Sequence, residues 1–237
     1  MRAYLLVYPL MALYVLVGAV VFVPLTWLTR DIRILYWISR QGCRLALALA
    51  GVKVRQIGLE HATANPTALF VANHVSNLDP PALFAVLPRI AVILKQELRR
   101  IPLLGYVMEL GSFIYVDRRS RTSRKHAMEK AVQTLRDGVS LLVFPEGTRS
   151  PDGNLLPFRP GPFAMAMEAE RPIVPITVHG ARELMPKGTL RIHPGEMALL
   201  FHPPVPTIGL DPSERSALME RVRAEMQQAL DSPLPPP

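Results

Sequence analysis

The sequence predicts an α/β protein, with a central mixed, mostly parallel sheet flanked by helices and an N-terminal, membrane-associated segment of two helices. Residues 3–29 contain no charged side chain. From residue 51 onward, short β-rich apolar runs alternate with helix-like stretches, which is typical of a sheet covered by helices. Polar segments follow directly after several of these runs, where active residues of such sheets lie. We therefore assign residues 1–50 to the membrane-associated segment and residues 51–237 to one domain.

The first helix is predicted from the uncharged run. Residues 4–28 are long enough to cross a bilayer, because a spanning helix needs about 20 apolar residues. The run lacks the short apolar core and small-residue cleavage site of a signal peptide, so we expect it to be retained. A buried helix pair of a soluble protein is the alternative. Whether the helix spans the bilayer or dips into it as a hairpin with the second helix stays open.

The second helix is predicted to lie at the membrane surface. Arg33, Arg40 and Arg44 fall on one side of a helical wheel, and most apolar residues of this stretch lie elsewhere. Trp27, with Tyr36 and Trp37, fits the boundary between lipid and water. Positive charge after the apolar run favours a cytoplasmic location for the rest of the chain. The sequence thus predicts a protein of the cell (inner) membrane with the domain at residues 51–237 on the cytoplasmic side.

The domain is predicted to contain six strands and three main helices. The strands are residues 52–57, 68–72, 90–94, 113–116, 141–144 and 173–178. Asp79 is predicted to be the N-cap of a helix over 82–87, with proline after it. A second helix covers 124–136 and ends before Gly138. The last helix opens at 211–214 and repeats apolar residues every four positions, at Leu218, Val222, Met226 and Leu230.

Composition narrows the classes of function. The formal net charge of +8 favours an anionic partner such as a membrane face or a phosphorylated substrate. No basic stripe with aromatic platforms and no recognition motif is present, so we expect no nucleic-acid partner. Cys43 is the single cysteine and lies in an apolar run, which favours a buried hydrophobic side chain over a catalytic thiol. The six histidines show no HExxH-like pairing, so we expect no metal.

The first motif is the segment NHVSNLD at residues 73–79, after the second predicted strand. A turn can bring the carboxylate of Asp79 to one nitrogen of His74, five positions earlier. That contact fixes the imidazole tautomer, stabilises the imidazolium and leaves the other nitrogen free as a base. Transfer of an acyl group to an alcohol needs such a base. Alone, the pair is also compatible with a helix cap and an ordinary loop histidine.

Two further motifs follow other strands. The segment FPEGTRS at residues 144–150 places Glu146, Gly147, Thr148 and Arg149 at a strand end, where backbone N–H groups and a guanidinium can bind an anion. By itself, this loop is equally compatible with an ordinary turn. The segment FIYVDR at residues 113–118 brings Arg118 to the edge of the sheet, a suitable position for a phosphate contact.

Together these segments resemble the glycerolipid acyltransferase family, typified by 1-acyl-sn-glycerol-3-phosphate acyltransferases. The segments at 73–79, 113–118, 144–150 and 174–178 occur in the family's order and at similar separations. The stretches 94–98 and 101–105 are also similar, and the resemblance covers roughly residues 50–205. It implies transfer of a fatty acyl group to the free sn-2 hydroxyl of 1-acyl-sn-glycerol-3-phosphate, giving phosphatidic acid in phospholipid biosynthesis.

The resemblance also implies a role for each motif residue. His74 would be the general base and Asp79 its orienting partner, without a covalent acyl-enzyme. Substrate binding would fall to Lys95, Arg118, Glu146, Gly147, Thr148 and Arg149. The partners implied are a lysophospholipid acceptor, membrane lipids and acyl-CoA or acyl carrier protein as acyl donor, with no separate cofactor.

One departure from the family pattern leaves the acceptor open. Residues 158–161 read FRPG where the family usually has Phe-Lys-x-Gly, and a bidentate arginine differs from a lysine. Glycerol-3-phosphate or a lyso-aminolipid are alternative acceptors. A lipid hydrolase that uses the same His/Asp pair is another alternative, although no GxSxG serine motif is present. A non-catalytic membrane adaptor with this fold is a third.

Overall fold

The computed structural model describes residues 7–29, 31–101, 104–117 and 119–234. In this part of the chain, seven strands form one sheet in the order β1-β7-β6-β2-β5-β3-β4. Their bounds are β1 Val52–Ile57, β2 Leu69–Ala72, β3 Ile90–Lys95, β4 Ile114–Val116, β5 Ser140–Val143, β6 Ile173–His179 and β7 Gly195–Phe201. The six predicted strands are confirmed, each to within one residue at either end, and β7 is an addition.

The sheet is mixed and mostly parallel, as the sequence predicts. Strands β6, β2, β5, β3 and β4 are parallel neighbours. β7 runs antiparallel to β6, and β1 pairs in parallel with β7, so β1 and β7 point the opposite way to the other five strands. The carboxyl ends of the five parallel strands therefore lie at one edge of the sheet, and that edge carries the polar motifs.

Nine helices occupy the described residues. They are α1 Tyr8–Thr29, α2 Arg33–Leu49, α3 Leu59–Thr63, α4 Asp79–Val86, α5 Leu104–Leu110, α6 Arg121–Arg136, α7 Gly161–Ala169, α8 Ala181–Leu184 and α9 Arg215–Asp231, with short 3-10 turns at Gln96–Arg100 and Pro212–Glu214. α6 begins earlier than predicted because Ser120 caps it, its side chain accepting from the backbone N–H of Ser123. α9 follows the predicted opening at 211–214, where Asp211 and Glu214 form a capping box.

Two apolar layers hold the sheet. Alternate residues of β2 point to opposite faces, so Leu69 and Val71 belong to one core cluster and Phe70 and Ala72 to the other. The first cluster packs under α6, α7 and α9. The second packs under α4 and α8 and reaches Leu47 of α2. Burial of both faces explains why the parallel strands read as continuous apolar runs in the sequence.

Helix α1 is long and apolar enough to cross a membrane. Its 22 residues extend about 33 Å, comparable to a hydrocarbon core of about 30 Å. Only Ala19 and Thr26 of this helix are buried, and Trp27 and Leu28 are each 77% exposed. A core helix of a soluble protein would be mostly covered, so this exposure favours an apolar environment outside the protein.

Candidate active site

His74 and Asp79 form the centre of the site. The loop after β2 turns back so that Asp79 Oδ2 lies 2.8 Å from His74 Nδ1. An ionised carboxylate can only accept, so Nδ1–H donates and Nε2 carries the lone pair. Asp79 is fully buried, whereas 18% of the His74 side chain is exposed. Nε2 has no hydrogen-bond partner among the described residues, and the imidazole can therefore take a proton from a molecule bound beside it.

The carboxylate of Asp79 is anchored by its own loop. Oδ2 also accepts from the backbone N–H groups of Val75, at 2.7 Å, and Ser76, at 2.8 Å. The predicted N-cap role of Asp79 is wrong: the N-cap of α4 is Leu78 and Asp79 is the first helical residue. Pro80 and Pro81 follow it and lack the N–H groups that a capping side chain would bind. The carboxylate is thus left to the loop and the histidine.

The ring and backbone of His74 are held by the loop after β5. Phe144 stacks on the imidazole, with ring centroids 4.1 Å apart and planes inclined by 23°. The carbonyl of His74 accepts from the backbone N–H of Ser150 at 2.7 Å. Its backbone N–H donates to Glu146 Oε1 at 2.8 Å. The two loops are therefore joined at His74, whose ring contacts Asp79 and Phe144 and whose backbone is bonded to Glu146 and Ser150.

Glu146 points into the protein. The residue is 4% exposed, and its second oxygen, Oε2, accepts from the backbone N–H of Leu156 at 3.2 Å. Burial raises the pKa of this carboxyl group to about 7. The two backbone hydrogen bonds lower the pKa, but their effect is smaller than that of burial. The negative charge of Asp79 raises it further. The predicted substrate contact of Glu146 stays a prediction, because here the carboxyl group contacts the backbone of its own loops.

Gly147 allows the loop to close under an arginine. Its φ of +73° lies in the left-handed region that favours glycine. A Cβ on this residue would lie 2.6 Å from Arg159 Nε, so the guanidinium rests on the glycine. The backbone N–H of Arg159 donates to the carbonyl of Pro145 at 2.9 Å. Arg159, which stands where the family usually has a lysine, is thereby packed against the 144–150 loop.

Three of the other predicted binding residues, Lys95, Thr148 and Arg149, lie at the same edge of the sheet, with different surroundings. Thr148 is exposed and Arg149 is half-buried. Lys95 ends β3 and is 61% exposed, with Nζ 2.9 Å from Glu97 Oε1. Arg118 lies outside the described residues, although β4 leads to this edge and ends at Val116. Their predicted contacts with substrate stay predictions.

Sequence reasoning missed residues that support the site from behind. The side chain of Asn73 accepts from the backbone N–H of Val178 at 2.7 Å and donates to the carbonyl of the same residue at 3.1 Å. Ser76 donates to the carbonyl of Met185 at 2.8 Å. Both side chains are buried polar groups that need hydrogen-bond partners, and their place inside the NHVSNLD segment was the sequence signal that could have identified them.

An apolar cavity opens beside the pair. It has a volume of about 590 Å³ and lies between α1, α2 and the edge of the sheet. Asn77, Leu78, Pro80 and Pro81, which flank Asp79, line one part of it. The rest is lined mostly by apolar side chains, including Met11, Val15, Leu47, Phe84 and Leu94. An apolar chain bound here would have one end next to the His74–Asp79 loop.

The next feature is the distribution of side chains that can bind metals. Within the described ranges, no group of three or more His, Cys, Asp or Glu residues could hold a metal ion. Cys43 is largely buried beside the core, and burial raises the pKa of its thiol to about 11, so it is a poor nucleophile at neutral pH.

Comparison with known proteins agrees with the geometry. The acyltransferase family model matches residues 53–179, which contain both motif loops. The human 1-acyl-sn-glycerol-3-phosphate acyltransferase alpha is 37% identical over 180 residues, which cover 75% of this chain and 64% of the human protein. The aligned region thus spans less than two thirds of that relative's length.

Bacterial proteins align over more of their length. The 1-acyl-sn-glycerol-3-phosphate acyltransferase of Borreliella burgdorferi is 26% identical over 201 residues, covering 84% of this chain and 80% of that protein. The crystal structure of the 1-acyl-sn-glycerophosphate acyltransferase from Thermotoga maritima superposes with a TM-score of 0.79 at 27% identity, covering 100% of both chains. From the family match and the shared fold, the chain belongs to the acyltransferase family.

Proposed function

We propose that this protein transfers a fatty acyl group from a thioester donor to the free sn-2 hydroxyl of 1-acyl-sn-glycerol-3-phosphate, giving phosphatidic acid. The observation that carries the proposal is the contact of 2.8 Å between His74 Nδ1 and Asp79 Oδ2, beside an apolar cavity. Relatives with this activity in their names match three quarters or more of the chain. Acyl-CoA or acyl carrier protein is the donor.

The proposed mechanism uses His74 as a general base. Nε2 takes the proton of the acceptor hydroxyl while the oxygen attacks the thioester carbonyl. The C–S bond then breaks, and the imidazolium returns its proton to the departing thiolate. Asp79 holds the tautomer and stabilises the imidazolium. General acid–base catalysis of this kind contributes about 10²–10⁴-fold to the rate.

The phosphate of the acceptor is proposed to bind at the edge of the sheet. Arg149 and Lys95, with Arg118, supply positive charge there. The backbone N–H of Thr148 can also donate to the phosphate, whereas that of Gly147 donates to the carbonyl of Phe144 at 3.0 Å. Arg159 is a further candidate because it lies on Gly147. Glu146 supports this site through the backbone of His74 and Leu156.

The acyl chain is proposed to occupy the apolar cavity. The cavity is within the usual range of ligand sites, about 300–1,000 Å³, and it lies between α1 and α2. A lipid can therefore enter it from the bilayer without crossing water. We propose that α1 and α2 hold the protein on the cytoplasmic side of the cell (inner) membrane, with membrane lipids as neighbours.

The decisive experiment compares two histidine variants of the purified protein in nonionic micelles. His74→Ala removes the proposed base, and His126→Ala removes an exposed histidine of α6. Each is given 1-acyl-sn-glycerol-3-phosphate with acyl-CoA or acyl carrier protein, and phosphatidic acid is measured by mass spectrometry. We expect at least a 10²-fold loss of product with His74→Ala and no loss with His126→Ala.

Two controls separate this reaction from the alternatives. Omitting the acceptor tests hydrolysis, because a hydrolase would release free fatty acid at the same rate without it. A panel with glycerol-3-phosphate and a lyso-aminolipid tests the acceptor. Wild-type turnover in His74→Ala, or acceptor-independent thioester cleavage, contradicts the proposal.

A further inference from the structure

Four arginines converge on a pocket away from the catalytic pair. Arg33, Arg40 and Arg44 project from one side of α2, and Arg89 comes from the turn before β3. Together with Tyr36, Trp37 and Gln41 they line a pocket of about 250 Å³. The sequence predicted that the three arginines of α2 share a side. Arg89 was not predicted to join them.

Two of the arginines cap helix α4. Arg40 Nη2 donates to the carbonyl of Val86, and Arg44 Nε donates to that of Ala85, each at 3.2 Å. These carbonyls belong to the last turn of α4, where no backbone partner is available. The negative end of the helix dipole also favours a cation there. Capping uses only part of each guanidinium, and Arg40 Nε is buried without a hydrogen-bond partner in the described chain.

The pocket lacks compensating negative charge. Across the described ranges, no carboxylate forms an ion pair with Arg33, Arg40, Arg44 or Arg89. Asp31, close to Arg33 in the chain, accepts instead from the backbone N–H of Arg33. Burial and the positive charge of nearby Arg44 both lower the pKa of Arg40, as expected for two cations that repel each other. A bound anion would remove this repulsion and fill the free N–H positions.

The surroundings indicate that this anion comes from a membrane. The arginine pocket lies on α2, next to the exposed apolar helix α1, and Trp37 at its rim is 58% exposed. Arg89 lies over the ring of Tyr36, 5.4 Å from its centroid, and Tyr36 also lines the apolar cavity. Guanidinium groups beside an exposed tryptophan are typical of the headgroup region of a bilayer.

We propose that Arg33, Arg40, Arg44 and Arg89 bind the phosphate group of an anionic membrane phospholipid at a site separate from the reaction. The site is at the last turn of α4 and Asp79 is at the first, about 12 Å along the helix axis. A phospholipid bound there fixes α2 on the bilayer and, through α4, the orientation of the catalytic loop toward the lipid. This binding does not depend on the proposed acyl transfer.

Trp37 supplies a direct readout. The chain has two tryptophans, so Trp27→Phe leaves Trp37 as the single reporter at the pocket. The full-length Trp27→Phe variant is kept in nonionic detergent, and no acyl donor is added. It is titrated separately with short-chain phosphatidylglycerol, short-chain phosphatidylcholine and inorganic phosphate. We expect a saturable change in Trp37 fluorescence with phosphatidylglycerol and a much weaker response to the other two.

A matched pair of variants in the Trp27→Phe background tests the residues. Arg33→Gln with Arg89→Gln removes two pocket charges and leaves both caps of α4 in place. Arg215→Gln with Arg221→Gln removes two exposed charges from α9. We expect the pocket variant to raise the phosphatidylglycerol concentration at half-saturation about ten-fold or more, because each lost charge-assisted hydrogen bond weakens binding. The α9 variant should leave this concentration unchanged. Circular dichroism checks that both variants fold.

Three outcomes would overturn the inference. Equal affinity for phosphatidylcholine means that the negative charge is not recognised. An equal response to inorganic phosphate assigns the pocket to a soluble anion. Unchanged affinity in the folded Arg33→Gln/Arg89→Gln variant places the lipid elsewhere on the protein.

Discussion

The backbone N–H of His74 donates to the buried carboxyl group of Glu146 across 2.8 Å, although 72 positions separate the two residues in the chain. One residue follows β2 and the other follows β5, and these strands are neighbours in the sheet. A carboxyl group inside the protein thus fixes the backbone of the proposed base. The pKa of that carboxyl group makes the arrangement sensitive to pH.

Stability is expected to fall as pH rises through the range in which Glu146 titrates. The carboxyl group has a pKa near 4.5 when unfolded and about 7 when folded. Between these values the folded protein holds a proton that the unfolded chain releases, so the free energy of unfolding decreases with rising pH. The contribution is fully present below pH 4.5 and is lost as pH passes 7. Denaturant unfolding from pH 4.5 to 8 measures it.

Glu146→Gln should flatten this part of the profile, because an amide does not titrate. Glu220→Gln, at an exposed position of α9, is the control and should keep the wild-type slope. An identical slope in wild type and Glu146→Gln would mean that this carboxyl group does not contribute to the pH dependence.

Asp79→Asn should impair the reaction while the protein still folds. The new carbonyl oxygen can take the place of Oδ2 and accept from the N–H groups of Val75 and Ser76 and from His74 Nδ1–H. The amide carries no negative charge, however, so it no longer stabilises the imidazolium, and His74 becomes a weaker base. We expect about a 10²–10⁴-fold lower rate of phosphatidic acid formation. Asp137→Asn, on the surface, should retain full activity, and full activity in Asp79→Asn contradicts the proposed role of the Asp79 negative charge.

Tyr36→Phe should destabilise the packing of α2 against the sheet. The hydroxyl lies 2.8 Å from the carbonyl of Ile90 and 2.6 Å from that of Gly111. Without it, buried carbonyls lose a donor, which costs about 1–3 kcal/mol. Thermal unfolding should show a lower Tm. Tyr106→Phe, at a half-exposed position, should leave the Tm within error of wild type, and equal Tm values for both variants would count against the role of Tyr36.

Gly18→Leu should shift the donor preference toward shorter acyl chains. Gly18 lines the apolar cavity, and a Cβ there meets no atom within 4 Å, so a larger side chain fills space without a clash. Rates with a series of acyl-CoA lengths give the measurement. Ala12→Leu, exposed on the same helix and outside the cavity, should keep the wild-type preference. An unchanged preference in Gly18→Leu would place the chain elsewhere.

Six of the seven strands of the described sheet were predicted from the sequence, and β7, which lies between β1 and β6, was not. Strands such as β2 and β6 were predictable because both faces are buried, which leaves continuous apolar runs. β7 was not predicted because four of its residues have a high intrinsic helix propensity: Met197, Ala198, Leu199 and Leu200. Its pairing with β6 and β1 overrides that preference, and the local sequence pattern does not indicate which distant segments will pair.

The site shows the same division between local and distant information. The contact between His74 and Asp79 spans five residues, so a turn was enough to predict it. The inward direction of Glu146 depends on the N–H groups of His74 and Leu156, and only the folded sheet brings these together. The position of Arg159 over Gly147 likewise depends on a positive φ that residue type alone suggests but does not fix.

The topology also sets an order for the synthesis of this protein. β1 follows the apolar helices directly, yet its partner in the described sheet is β7, the last strand to leave the ribosome. The early helices are therefore available to the bilayer while β1 still lacks a partner. Such a distant pairing is slow to form. Attachment to the lipid can thus precede completion of the sheet, which then closes next to the surface that is proposed to hold the lipid acceptor.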